Sequence, residues 1–113
     1  GKYYAENIID LRKKMGGLYR VEDLGELYGM SDEKLSDLKT KVFVDESHMK
    51  KKSINSLSAK ELARHPWISY AVANSIVKMR AQLSQGYSNI EQIKESELID
   101  EELFQKLKPY LSL

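Results

Sequence analysis

Lys50-Lys51-Lys52 is a run of ammonium groups, a residue type suited to gripping phosphate oxygens. Each phosphate neutralised in that way adds a salt-sensitive increment to binding. The alternative for the same run is a solvated linker. Trp67 and Tyr70 offer ring faces on which a nucleic-acid base could stack, or else they close a small core between two helices. Other chemistry lacks its residues. The chain has no cysteine, hence no disulfide framework and no thiolate zinc site. Its 2 histidines, His48 and His65, are isolated and read as ordinary surface residues. No Ser-His-Asp order, paired-carboxylate setting or phosphate-cradling glycine-rich loop stands out. No catalysis, metal, cofactor or small-molecule substrate is therefore expected.

These residues belong to a chain of 113, long enough for one ordinary domain or two very small ones. A hydrophobic fraction of 42% and a charged fraction of 31% suit a compact domain with a modest core. Lys plus Arg is 18 and Asp plus Glu is 17, giving a formal net charge of +1. That excludes a basic chain that simply coats a polyanion. Residues 1–45 carry eight basic and nine acidic side chains and residues 46–113 carry ten and eight, so neither part is a basic body. Backbone amides can hold a phosphate without such a body, but tight binding is not expected. No apolar run approaches the roughly 20 residues of a membrane span, and the charged start through Glu6 is not that of a signal peptide.

The elements that would position these groups are short helices. Over 2–15, Tyr4, Ile8, Leu11 and Met15 fall at spacings of four, three and four, one apolar stripe of an amphipathic helix stopped by Gly16-Gly17. Val21, Leu24 and Leu27 mark a second short helix. Tyr28-Gly29-Met30-Ser31 is a tight turn, with Ser31 capping a helix to about Lys39. After Val42-Phe43-Val44 the stretch to Lys52 reads as a linker. Ser58-Ala59-Lys60-Glu61 matches a capping box for a helix over 59–64. His65-Pro66-Trp67-Ile68-Ser69 is a turn, and Val72, Ile76, Met79 and Leu83 predict a helix over 70–83. A short helix over 89–95 and a final one over 101–108, capped by Asp100, complete the chain.

The second half repeats the first. Val72, Ile76, Met79 and Leu83 stand 68 positions after Tyr4, Ile8, Leu11 and Met15, as do Arg80 after Arg12 and Tyr87 after Tyr19. One inserted residue then pairs Val21 with Ile90, Leu24 with Ile93, Leu35 with Phe104 and Leu38 with Leu107. Two copies of one helical unit are the inference. The fold class is all-α, and Arg12 and Arg80 are expected to pack their stems over the core and bond helix carbonyls.

Ile54 to Leu62, Pro66-Trp67-Ile68-Ser69, Ala73, Ile76-Val77 and Arg80 together resemble the helix-hairpin-helix domain of bacterial ComEA-type DNA-uptake (competence) proteins. The ending Leu107-Lys108-Pro109-Tyr110-Leu111 resembles that domain's terminus. The resemblance implies tandem helix-hairpin-helix modules of short helices, SAM-domain-like bundles: 1–45 a module lacking its first helix, 46–52 a linker, 53–113 a complete module. In that family each hairpin carries a Gly-hydrophobic-Gly turn. Glycine permits the backbone angles and close approach that let amides at the next helix N-terminus hold a phosphate. Such contacts position a protein on nucleic acid without reading sequence.

By that resemblance Gly1 is the last turn glycine of a truncated first hairpin, and Lys2 opens its helix. The second hairpin, Gly29-Met30-Ser31 followed by Lys34, keeps one glycine and puts a capping serine in place of the other. The third, Pro66-Trp67-Ile68-Ser69, has neither glycine; Ser69 can cap and offer a hydroxyl, while Trp67 crowds an approaching backbone. The fourth, Leu98-Ile99-Asp100, lies among Glu95, Glu97, Glu101 and Glu102, which repel phosphate, and is assigned no binding role. The expected DNA-binding residues are therefore Gly1, Lys2, Gly29, Met30, Ser31, Lys34, Lys50, Lys51, Lys52 and Ser69.

The expectation is weak, non-sequence-specific DNA binding through the phosphate backbone, within a larger DNA-uptake or DNA-processing protein. The rival is a degenerate scaffold for protein association. A missing first helix would leave the stripe of residues 4–15 partly uncovered, a face for a protein partner or for self-association.

Overall fold

The computed structural model describes residues 2–28, 33, 36 and 49–113. The chain divides into two compact units, Gly1–Lys50 and Lys51–Leu113. The division falls within the stretch read as a linker.

In the first unit, α1 runs Lys2–Met15 and α2 runs Val21–Tyr28. Arg12, Lys13 and Lys14 occupy the last turn of α1, where cations complement the helix dipole. Gly16 and Gly17 then take φ of +82° and +114°, and the Gly17 amide bonds the Arg12 carbonyl at 2.8 Å to close the helix. A Cβ on Gly16 would run into the Lys50 carbonyl, and the Lys50 amide donates to the Gly16 carbonyl at 2.7 Å. Met15, Leu18 and Leu24 are fully buried. Asp23, also buried, accepts from the Arg20 guanidinium at 3.0 Å in the first turn of α2. Of the expected apolar stripe, Met15 is buried, Leu11 half-buried, and Tyr4 and Ile8 lie outside the described side chains. Glu33 and Ser36 are helical; the turn through Ser31, the Val42–Val44 stretch and His48 lie outside the described residues.

The second unit holds the larger core. Strand β1 (Lys52–Ser53) leads into α3 (Ala59–Leu62) and α4 (Tyr70–Gln82). A 3-10 helix (Ile90–Glu95), α5 (Glu101–Leu107) and a 3-10 turn (Lys108–Tyr110) follow, ending in β2 (Leu111–Ser112). The unit is helical apart from the parallel pairing of β1 with β2, in which Lys52 faces Leu111 and Ser53 faces Ser112. That pairing ties the start of the unit to its end. Ser58 and Glu61 form the expected capping box, Asn89 and Gln92 form another, and the Ser69 and Asp100 side chains cap α4 and α5. Helix α3 stops at Leu62, short of the expected 64, with Ala63 as its C-cap. The element over 90–95 is 3-10 rather than α.

Around Ile54, Leu62, Ile76, Ile93, Phe104 and Leu107, all fully buried, the helices close on one another. Arg80 crosses from α4 to donate to the Ile54 and Leu57 carbonyls at 3.0 and 2.8 Å, a structural role, with acceptors in the turn before α3 rather than the helix carbonyls expected. Asn55 grips Tyr87 at both backbone groups, accepting from its amide at 2.8 Å and donating to its carbonyl at 3.0 Å. The Tyr87 hydroxyl donates to the Ile76 carbonyl at 2.6 Å, and burial raises its pKa.

His65 corrects the sequence reading. Far from lying on the surface, it is fully buried. Its Nδ1 accepts from the Trp67 amide at 3.1 Å, and its ring packs against Tyr110 at 4.7 Å and Trp67 at 5.5 Å between centroids. The position lies three residues after buried Leu62, on the same side of the chain as it leaves α3. Burial, helped by the charge of Lys52, pushes the imidazole pKa down to about 3, so the ring is neutral.

Candidate nucleic-acid interface

The third hairpin is the candidate whose geometry is fully described. It leaves α3 at Ala63 and turns at His65, where the Ile68 amide bonds the His65 carbonyl at 2.9 Å. Ser69 then adopts extended backbone (φ −70°, ψ 163°) and accepts from the Val72 amide at 3.1 Å. The first amides of α4, those of Tyr70 and Ala71, have no hydrogen-bond partner among the described residues. Such amides, at the positive end of a helix dipole, are suited to a phosphate oxygen. Tyr70 is 57% exposed beside them. Trp67 is half-buried against the core, with the Lys106 ammonium 5.9 Å from its ring centre. The tryptophan thus closes the core, and Tyr70 is the aromatic left facing solvent.

The fourth hairpin has the opposite electrostatics. The Asp100 carboxylate already accepts from the Leu103 amide at 2.8 Å, filling the helix end where a phosphate would sit. Glu97, Glu101 and Glu102 are exposed around it. Hydrogen bonds from Gln105 and Lys94 hold the Glu101 carboxyl below its usual pKa, so it stays ionised. Buried Ser96, whose hydroxyl donates to Ser75 Oγ at 3.0 Å, fixes this turn against α4.

Of the expected binding residues, Gly1, Gly29, Met30, Ser31 and Lys34 lie outside the described residues, and of Lys2 only the helical backbone is described. Ser69 is exposed at the helix end, as Lys50 and Lys51 are on their segment. Lys52 differs from its neighbours: it sits in β1 and is 9% exposed, and burial lowers its pKa. Charge run alone could not separate the three; the pairing of β1 with the chain's end did so. Sequence reasoning also missed Lys106, whose ammonium lies over the Trp67 ring, and Asn55, which grips Tyr87. Local spacing does not mark these contacts, because Trp67 and Tyr87 are distant from them in the chain. No group of His, Cys, Asp or Glu suited to a metal occurs among the described residues.

A family model for the helix-hairpin-helix motif matches residues 49–112. No curated protein and no solved structure matches the chain. The helix-hairpin-helix motif is generally associated with non-specific DNA binding. With that match spanning more than half of the sequence and the helices alternating with capped turns across the same residues, the chain belongs to the helix-hairpin-helix family.

Proposed function

We propose that this chain binds DNA weakly and without sequence preference, through backbone phosphates at hairpin turns, as a non-catalytic module of a larger DNA-uptake or DNA-processing protein. The observation that carries the reading is the third hairpin: a serine-capped helix end with free amides at Tyr70 and Ala71, in a chain of this family. The resemblance to ComEA-type domains supports the finer assignment to DNA uptake. In this reading residues 1–45 are a second copy of the unit. Leu24 and Ile93, paired by the repeat, are both fully buried, and α1 and α4 are each followed by a glycine at positive φ. Near-neutral charge keeps the affinity low, since few phosphates are neutralised. Fluorescence anisotropy with a generic duplex at low salt tests the proposal. The expected result is binding that weakens steeply as salt rises, and no binding at tens of micromolar protein would sink it.

The acidic fourth hairpin favours a second reading, a scaffold for protein association. The partner, another protein or a second copy, would meet the face of residues 4–15, where Ile9 is 52% exposed. In that case Lys2→Glu with Lys34→Glu leaves nucleic-acid retention unchanged, whereas hairpin binding predicts its loss.

A further inference from the structure

The end of α1 gathers cations that its surroundings do not neutralise. Gly16 leaves the helix at φ +82°, its amide bonding the Lys13 carbonyl at 3.2 Å and its carbonyl accepting from the Lys50 amide at 2.7 Å. Lys50 is thereby fixed two hydrogen bonds from Lys13, although the two are far apart in the chain. The junction admits no side chain at Gly16, where a Cβ would meet the Lys50 carbonyl. Lys13, Lys14 and Lys50 are all exposed there. Lys14 pairs with Asp10 at 3.0 Å, whereas among the described residues Lys13 and Lys50 have no hydrogen-bond or ion-pair partner for their ammonium groups. Arg12, half-buried in the same turn, is otherwise engaged. Cations complement the end of a helix dipole, but the Gly16 and Gly17 amides already close on the Lys13 and Arg12 carbonyls. Three ammonium groups thus meet one carboxylate, and two of them are left for an anion.

We propose that this junction is a phosphate-contact surface, where Lys13 and Lys50 each neutralise a backbone phosphate of bound DNA away from any hairpin turn. This rests on the DNA binding proposed above and adds a contact made by the first unit. Duplex DNA carries one negative charge per about 1.7 Å of its axis, so two lysines on one short junction face several phosphates at once. A lysine ammonium is a compact charge on a flexible stem, suited to a phosphate oxygen and blind to base sequence. The run at 50–52 pointed to Lys50 alone of this pair; Lys13 lies outside that run, and the two bonds at Gly16 bring it in.

The test uses the full chain with Lys13→Gln, Lys50→Gln and the double variant, and measures duplex binding against salt by anisotropy. Lys78→Gln, which removes an exposed cation on α4 outside the junction, controls for overall charge. Each junction substitution should weaken duplex binding about tenfold at low salt and reduce the slope of log K against log salt by about 0.9, the double variant by about twice that slope. Lys78→Gln should change neither. Gly16→Ala keeps every charge but displaces Lys50, and should weaken binding with its helicity retained in circular dichroism; if it fails to fold, the lysine variants decide alone. Unchanged affinity and slope in the Lys13 and Lys50 variants, or an equal loss in Lys78→Gln, overturns the junction and leaves the DNA reading standing. A chain that binds no duplex but retains a poly-glutamate peptide through Lys13 and Lys50 overturns the DNA reading and the proposed occupant. Absence of any binding ends both.

Discussion

At the scale of single residues, buried polar groups determine how the second unit responds to change. Arg80 replaces water at the Ile54 and Leu57 carbonyls with a charged donor, and hydrogen bonds of that kind are the stronger ones. Arg80→Met leaves both carbonyls without their partner and is expected to cost about 2–4 kcal/mol in urea unfolding. Arg80→Lys should recover part of that loss. His65 makes stability depend on pH. Its Nδ1 accepts the Trp67 amide, so the proton sits on Nε2, which is buried without an acceptor. The unfolded imidazole takes up a proton near 6.5, whereas the folded one resists until about 3. Between those values the unfolded state binds more protons, so the contribution is complete above 6.5 and is lost as pH falls. The loss should reach up to about 1.4 kcal/mol per pH unit. His65→Asn, which keeps an acceptor near the Trp67 amide, should melt with a shallower decline between pH 6.5 and 4 in circular dichroism.

At the scale of elements, turns and caps decide where each helix begins and ends. Gly86 sits at φ +72°, and a Cβ there would come within 2.6 Å of Asn55 Oδ1. That oxygen holds the Tyr87 amide, so Gly86→Ala strains the backbone and disturbs the grip at once. A loss of about 1–3 kcal/mol is expected in denaturant titrations. The Ser58 capping box is exposed and local by comparison. Ser58→Ala should cost about 1 kcal/mol, and a loss of about 3 kcal/mol or more would contradict a purely local role for the box. The hairpins follow the same logic. Ser69 and Asp100 are both caps, but a hydroxyl leaves the third hairpin open to an anion while a carboxylate fills the fourth.

At the scale of the whole molecule, residues 51–113 have a continuous core, and β1 pairs with β2 across the unit's own ends. Ser53 Oγ adds a bond to the Leu113 carbonyl at 2.7 Å. A fragment spanning residues 49–113 should therefore unfold cooperatively by itself, with heat or denaturant, and a sloping melt without a transition would contradict it. Removing Leu111–Leu113 from that fragment should lower its melting temperature by several degrees. Leu111 is 1% exposed, and the strand pairing leaves with it.

Much of this was legible in the sequence because it is local. Periodic apolar residues set α1 and α4, and Ser58, Ser69 and Asp100 announce caps through bonds that reach only three residues ahead. The carboxylates of the fourth hairpin are likewise adjacent along the chain. Tertiary structure alone decided which polar side chains leave solvent. His65 is buried because Trp67 and Tyr110 close over it, the latter from the far end of the unit. Lys52 parted from Lys50 and Lys51 because a strand formed against residues 111–112. Spacing along the chain carries bonds between neighbours, whereas burial and electrostatic coupling depend on which distant segments pack together.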